Sequence, residues 1–116
     1  MNLILLGPPG AGKGTQAKFI AKKFNLYQLS TGDLLRDEIK NKTEIGKKIE
    51  QIIAHGDFVI DEIVNKLLKK VITSSPYRNR IIFDGYPRNI PQAENLETIL
   101  KKYNQSISAV LFKNSF

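Results

Sequence analysis

The 116-residue chain is the size of one domain, and its 41% apolar and 25% charged residues suit a globular protein. With no cysteine and a single histidine, His55, it excludes a disulfide framework, a thiolate metal site and a conventional zinc centre. The net charge of +7 comes from fourteen Lys and four Arg, many of the lysines in pairs such as Lys22-Lys23, Lys47-Lys48, Lys69-Lys70 and Lys101-Lys102. That pattern reads as solvated helix faces rather than a nucleic-acid footprint, and its field favours anionic ligands.

The chain opens on an apolar run, Leu3 to Leu6, that reads as a buried parallel strand over Asn2 to Leu6. Gly7-Pro8-Pro9 ends it far short of the roughly 20 residues of a membrane span, and no basic flank marks a signal peptide. A cytoplasmic protein with no membrane or nucleic-acid partner is expected. Residues 12–24 place Ala17, Ile20, Ala21 and Phe24 on one helical face. Leu26 to Leu29 is a brief second strand. Three helical patterns follow, carried by Leu34, Leu35 and Ile39, by Ile45, Ile49, Ile52 and Ile53, and by Val64, Leu67, Leu68, Val71 and Ile72. Gly46 sits awkwardly near the start of the second, and Gly56 suits its C-terminal end. Beyond Ser74-Ser75-Pro76, Arg80 to Asp84 reads as a third strand ending on a carboxylate. Pro91 opens a helix with Ala93, Leu96, Ile99 and Leu100 on its apolar face, and Ile107 to Phe112 is a fourth strand. Strand–helix alternation predicts a three-layer α/β fold around a parallel sheet.

The sharpest motif is Gly7-Pro8-Pro9-Gly10-Ala11-Gly12-Lys13-Gly14-Thr15, which holds four of the eight glycines between a strand and a helix. Glycines let successive backbone N–H groups turn toward an anion, and the helix N-terminus adds its dipole. Lys13 supplies a point charge to the terminal phosphates of a nucleoside triphosphate. The usual hydroxyl directly after the lysine is Gly14, with Thr15 next. Asp84, followed by Gly85-Tyr86-Pro87-Arg88, is the expected carboxylate for magnesium, directly or through water. Arg36 and Arg88 stand out in a lysine-rich chain because a guanidinium holds phosphate bidentately. Arg78 and Arg80 read as surface or strand-end charges, Tyr27, Tyr77 and Tyr103 as packing residues, and His55 as a helix-end residue complementing the dipole.

Three segments together resemble the adenylate kinase family: Gly7 to Ala17, Leu29-Ser30-Thr31-Gly32-Asp33-Leu34-Leu35-Arg36, and Phe83-Asp84-Gly85-Tyr86-Pro87-Arg88 with Gln92. The Gly14-Thr15 variant is that family's own form. The resemblance implies reversible transfer of a phosphoryl group from ATP to AMP, giving two ADP, with magnesium as the cofactor. It implies that Gly10, Ala11, Gly12, Lys13, Gly14 and Thr15 cradle ATP. Thr31, Arg36, Asp57, Phe58, Val59, Gly85, Tyr86, Pro87, Arg88 and Gln92 would form the AMP site. Of these, Arg36 and Arg88 would hold the AMP phosphate, and Thr31 and Gln92 would meet the adenine. Lys13, Arg88 and Asp84 would be the catalytic group, with Asp84 holding magnesium through water. Residues 30–59 would form a mobile AMP-binding helical subdomain within a P-loop core of 1–116. Thr31 favours AMP over pyrimidine monophosphates.

Family members are usually nearly twice this length. The resemblance therefore implies that a lid, further arginines, a fifth strand and a closing helix would lie beyond Phe116, and that the chain is an N-terminal portion. Expected consequences are impaired transfer and a fourth strand left as an open edge, hence marginal stability or self-association of a chain whose relatives are monomers. The alternatives are a nucleotide-binding module without catalysis and a kinase of another nucleoside monophosphate.

Overall fold

The computed structural model describes residues 1–8 and 12–113. Four strands, β1 (Asn2–Leu6), β2 (Tyr27–Ser30), β3 (Ile81–Asp84) and β4 (Ile107–Phe112), form one all-parallel sheet in the order β2-β3-β1-β4. Among the described residues five helices accompany them: α1 (Lys13–Phe24), α2 (Thr31–Lys40), α3 (Glu44–Ala54), α4 (Asp61–Ile72) and α5 (Ile90–Lys102), with a 3₁₀ turn at Ser75–Tyr77. The expected α/β architecture is therefore present, and β4 lies at a sheet edge among the described residues.

The layers follow from the two-residue period of a strand. Leu3 and Leu5 of β1 and Ile82 of β3 pack with Ala17, Ile20 and Ala21 of α1 on one face. Ile4, Leu29, Ile81 and Phe83 pack on the other with Leu68 and Ile72 of α4 and Leu96 and Leu100 of α5. Both faces of the central strands are buried, which is why β1 and β3 read as unbroken apolar runs.

The second and third strands are bounded differently from the sequence expectation, and the second ends at Ser30 rather than Leu29. The second strand starts at Tyr27 rather than Leu26, because the Leu26 amide donates to Ala21 O and completes the end of α1. The third starts at Ile81, because the Arg80 amide closes a turn on Tyr77 O. Gly56 does follow α3 with φ +78, its N–H on Ile53 O.

At the end of the sheet opposite the carboxyl ends of the strands, Asn2 is fully buried and ties three strands together. Its Nδ2 donates to Gln105 Oε1 (3.2 Å) and Ser106 O (3.3 Å), and its Oδ1 accepts the Ile81 amide (3.1 Å). Gln105 completes the network by donating to Ile72 O. No helix among the described residues is long and apolar enough to cross a membrane.

Candidate active site at the carboxyl ends of the strands

The chemistry-bearing residues gather where β1, β2 and β3 end. In the register, Leu5 of β1 and Ser30 of β2 both stand beside Asp84 of β3. The ends of β1 and β2 therefore flank Asp84, and α2 starts directly after Ser30. Gly12 enters α1 with φ +81, a left-handed conformation that glycine adopts without penalty. Helix α1 begins with no side-chain cap and no acidic residue in its first turn, so its N-terminal amides and dipole remain available to an anion. Gly14 and Thr15 lie exposed in that first turn. Gly10 and Ala11 lie outside the described residues.

Lys13 Nζ stands 3.1 Å from Asp84 Oδ1, both side chains largely buried. Gln28 Nε2 donates to the other oxygen, Asp84 Oδ2, at 3.2 Å. Sequence reading missed Gln28: it reaches Asp84 only because β2 pairs with β3, and no local pattern marks it. Asp84 Oδ1 is buried and receives no directed hydrogen bond among the described residues, so it keeps lone pairs for a further ligand. Magnesium usually takes one or two carboxylates and completes its shell with water and substrate phosphates, and Asp84 fits that demand.

Gly85 is the pivot of the site. At φ +77, a Cβ there would stand 3.0 Å from Lys13 Nζ and 3.6 Å from an Arg88 Nη. The lysine and the arginine therefore converge over a residue with no side chain. Arg88 Nε donates to Gly85 O at 2.8 Å, which anchors the guanidinium while its terminal nitrogens take no hydrogen bond among the described residues.

Two cavities meet at this pivot. One, of about 420 Å³, is lined by Gly7, Lys13, Gly85, Pro87 and Arg88 together with Leu6 and Phe112. The other, of about 330 Å³, is lined by Thr31, Asp57, Phe58, Val59, Gly85, Tyr86, Arg88 and Gln92, among others. Gly85 and Arg88 line both. The second cavity thus gathers the expected residues except two: Pro87, which lines the first cavity instead, and Arg36, whose guanidinium folds over Gly32 and pairs with Asp33 on the exposed face of α2. Phe58 is 94% exposed at the cavity's rim. A larger cavity of about 500 Å³ over β1, β4 and α5 has a mainly apolar lining and contains none of Lys13, Asp84 or Arg88.

The far wall of the second cavity is rigidly built. Asn89 caps α5 by accepting the Gln92 amide (2.9 Å), and Tyr86 Oη donates to Gln92 O (3.3 Å). Burial pushes the Tyr86 hydroxyl above its ordinary pKa, partly opposed by the Asn95 amide, so it stays a donor at neutral pH. The other tyrosine so affected, Tyr27, is raised by burial and stacks on Tyr77 outside these two cavities, with ring centroids 4.2 Å apart. His55 Nδ1 lies 2.7 Å from Gln51 O at the end of α3. Arg78 and Arg80 bond to the carbonyls of Tyr103 and Asn25. All three are placed outside both cavities.

Comparison with known proteins bears on this geometry. Residues 5–114 match the family model described as adenylate kinase. The chain is 61% identical to the adenylate kinase of Pelagibacter ubique over 98% of its own length and 54% of that relative's. It is 48% identical to the adenylate kinase of Bartonella henselae, covering 96% of this chain and 58% of the relative. It is also 48% identical to that of Methanothrix thermoacetophila, covering 96% and 52%. The chain spans about half the length of the curated relatives it matches.

Proposed function

The chain belongs to the adenylate kinase family, and on that premise we propose that it seats ATP and AMP in the two cavities that meet at Gly85 and Arg88. There it supports reversible transfer of the γ-phosphoryl group between them. The single observation that carries this reading is the shared wall: Gly85 and Arg88 line both cavities, and the Lys13 and Arg88 cations converge there over a residue with no side chain, as a donor and an acceptor phosphate would require.

In the forward direction an oxygen of the AMP phosphate forms a bond to the γ-phosphorus. The bond from that phosphorus to the β,γ-bridging oxygen breaks, and its electron pair remains on the departing ADP. The protein's work is positioning and charge neutralisation rather than covalent chemistry. The amides of Gly12 and Gly14, with Thr15 and Gly10–Ala11, cradle the donor phosphates. Lys13 leaves Asp84 to neutralise them. Asp84, its carboxylate kept in place by Gln28, would hold magnesium, and the ion bound with ATP would supply positive charge to the phosphate oxygens. Arg88, and Arg36 once it turns from Asp33, grip the AMP phosphate. Thr31, the backbone at Asp57 to Val59, and Gln92 enclose the base. Residues 30–59 act as the subdomain that closes on AMP.

Isotope transfer from γ-labelled ATP to AMP, CMP, UMP and GMP, offered side by side with magnesium to the 116-residue chain, tests the proposal. Label is expected on AMP in preference to the others and is expected to vanish in Lys13→Ala. Preference for another monophosphate would overturn the AMP assignment. Tight binding of both nucleotides without any transfer would favour a binding module.

A further inference from the structure

The carboxamide of Gln92 is held at both of its ends, and one of the two holders has no role in the reading above. Its Oε1 accepts the Arg88 amide at 2.8 Å, and its Nε2 donates to Asp61 Oδ1 at 3.1 Å. Asp61 is the first residue of α4 and also lines the cavity. A backbone N–H can only donate and a carboxylate can only accept, so the two partners together admit one orientation of the amide. Rotating it by half a turn would lose both bonds and set Oε1 against the Asp61 carboxylate.

An amide so held retains one N–H on Nε2 and one lone pair on Oε1 for a ligand. That pair complements a purine edge with an exocyclic amino donor beside a ring acceptor. It opposes a purine with an exocyclic oxygen beside a ring N–H, which needs the reverse order. We propose that Asp61 is a specificity-determining positioning residue: by fixing the Gln92 amide it makes the site prefer 6-amino over 6-oxo purine monophosphates. The inference rests on the assignment of this cavity to AMP.

Asp61→Asn separates this role from a structural one. The new side chain keeps the size and can still accept from Nε2, but it can also rotate and donate to Oε1, so the penalty on the reversed Gln92 is relieved at this end. AMP and inosine monophosphate (the same purine with a 6-oxo group and a ring N–H) are titrated into the 116-residue chain. The wild type is expected to bind AMP more tightly. In Asp61→Asn the ratio of the two affinities is expected to fall roughly two- to tenfold, the net worth of one hydrogen bond. The fall should come mainly through tighter binding of inosine monophosphate, a gain that loss of structure does not produce. Glu62→Gln removes a like charge from the same helix turn and is expected to leave the ratio unchanged. An unchanged ratio in Asp61→Asn, with the wild type still discriminating, would overturn the role of Asp61 alone. A wild type that binds both equally would overturn the base assignment of the cavity, and this inference with it.

Discussion

Gly85 shows how much of the site depends on one missing methyl group. Its φ of +77 strains any L-residue by roughly 1–2 kcal/mol. Its Cβ position lies 3.0 Å from Lys13 Nζ, within the space where two cations converge. Gly85→Ala is therefore expected to lower stability by about 1–2 kcal/mol in chemical denaturation and to weaken ATP binding by displacing Lys13. Wild-type stability with wild-type ATP affinity would contradict the convergence of Lys13 and Arg88 at this point. At this scale the sequence was informative where a residue type has few alternative uses. Lys13 after a glycine run, Asp84 at a strand end and Arg88 in a lysine-rich chain all lie together in the structure. Gln28 and Asp61 were not legible, because each matters through a hydrogen bond to a residue 56 or 31 positions away. Arg36 was legible as a residue type but not in its placement, since its neighbour Asp33 holds it on the exposed side of α2.

Among the elements, the helices α2 and α3 cross unusually closely, and Gly46 is the reason. A Cβ built there would stand 2.0 Å from Glu38 O, the backbone of α2. Thr43 supports the same corner by capping α3 through Gly46 N (2.9 Å) while its hydroxyl donates to Glu38 Oε2 (2.6 Å). Helix propensity alone makes Gly46→Ala stabilising by about 1 kcal/mol. The packing reverses that sign, and destabilisation of roughly 1–3 kcal/mol is expected as the helices are forced apart. Urea denaturation of the variant reads the sign directly; a stabilised Gly46→Ala would show that α2 and α3 do not pack this way. From sequence, Gly46 looks like a defect in a helical pattern, because its partner is backbone, which leaves no compositional trace. The apolar runs of β1 and β3 were legible for the opposite reason: strand burial writes itself into consecutive residues.

For the molecule as a whole, alternating strands and helices pointed to the layered α/β fold, while the strand order β2-β3-β1-β4 came only with the structure. That order places β1 between β3 and β4, and Lys13, which opens the helix after β1, stands beside Asp84. The buried Asn2–Gln105 network locks the opposite end of the same strands, and polar residues at those positions carried no signal of it. The central functional claim is that a monophosphate's phosphate group lies on Arg88, between the two cavities. Titrating AMP and adenosine into the wild-type chain and into Arg88→Ala tests it most directly. Loss of a charge-assisted phosphate contact is expected to weaken AMP by roughly ten- to a hundredfold and to leave adenosine affinity unchanged. Equal effects on AMP and adenosine, or none on AMP, would contradict it.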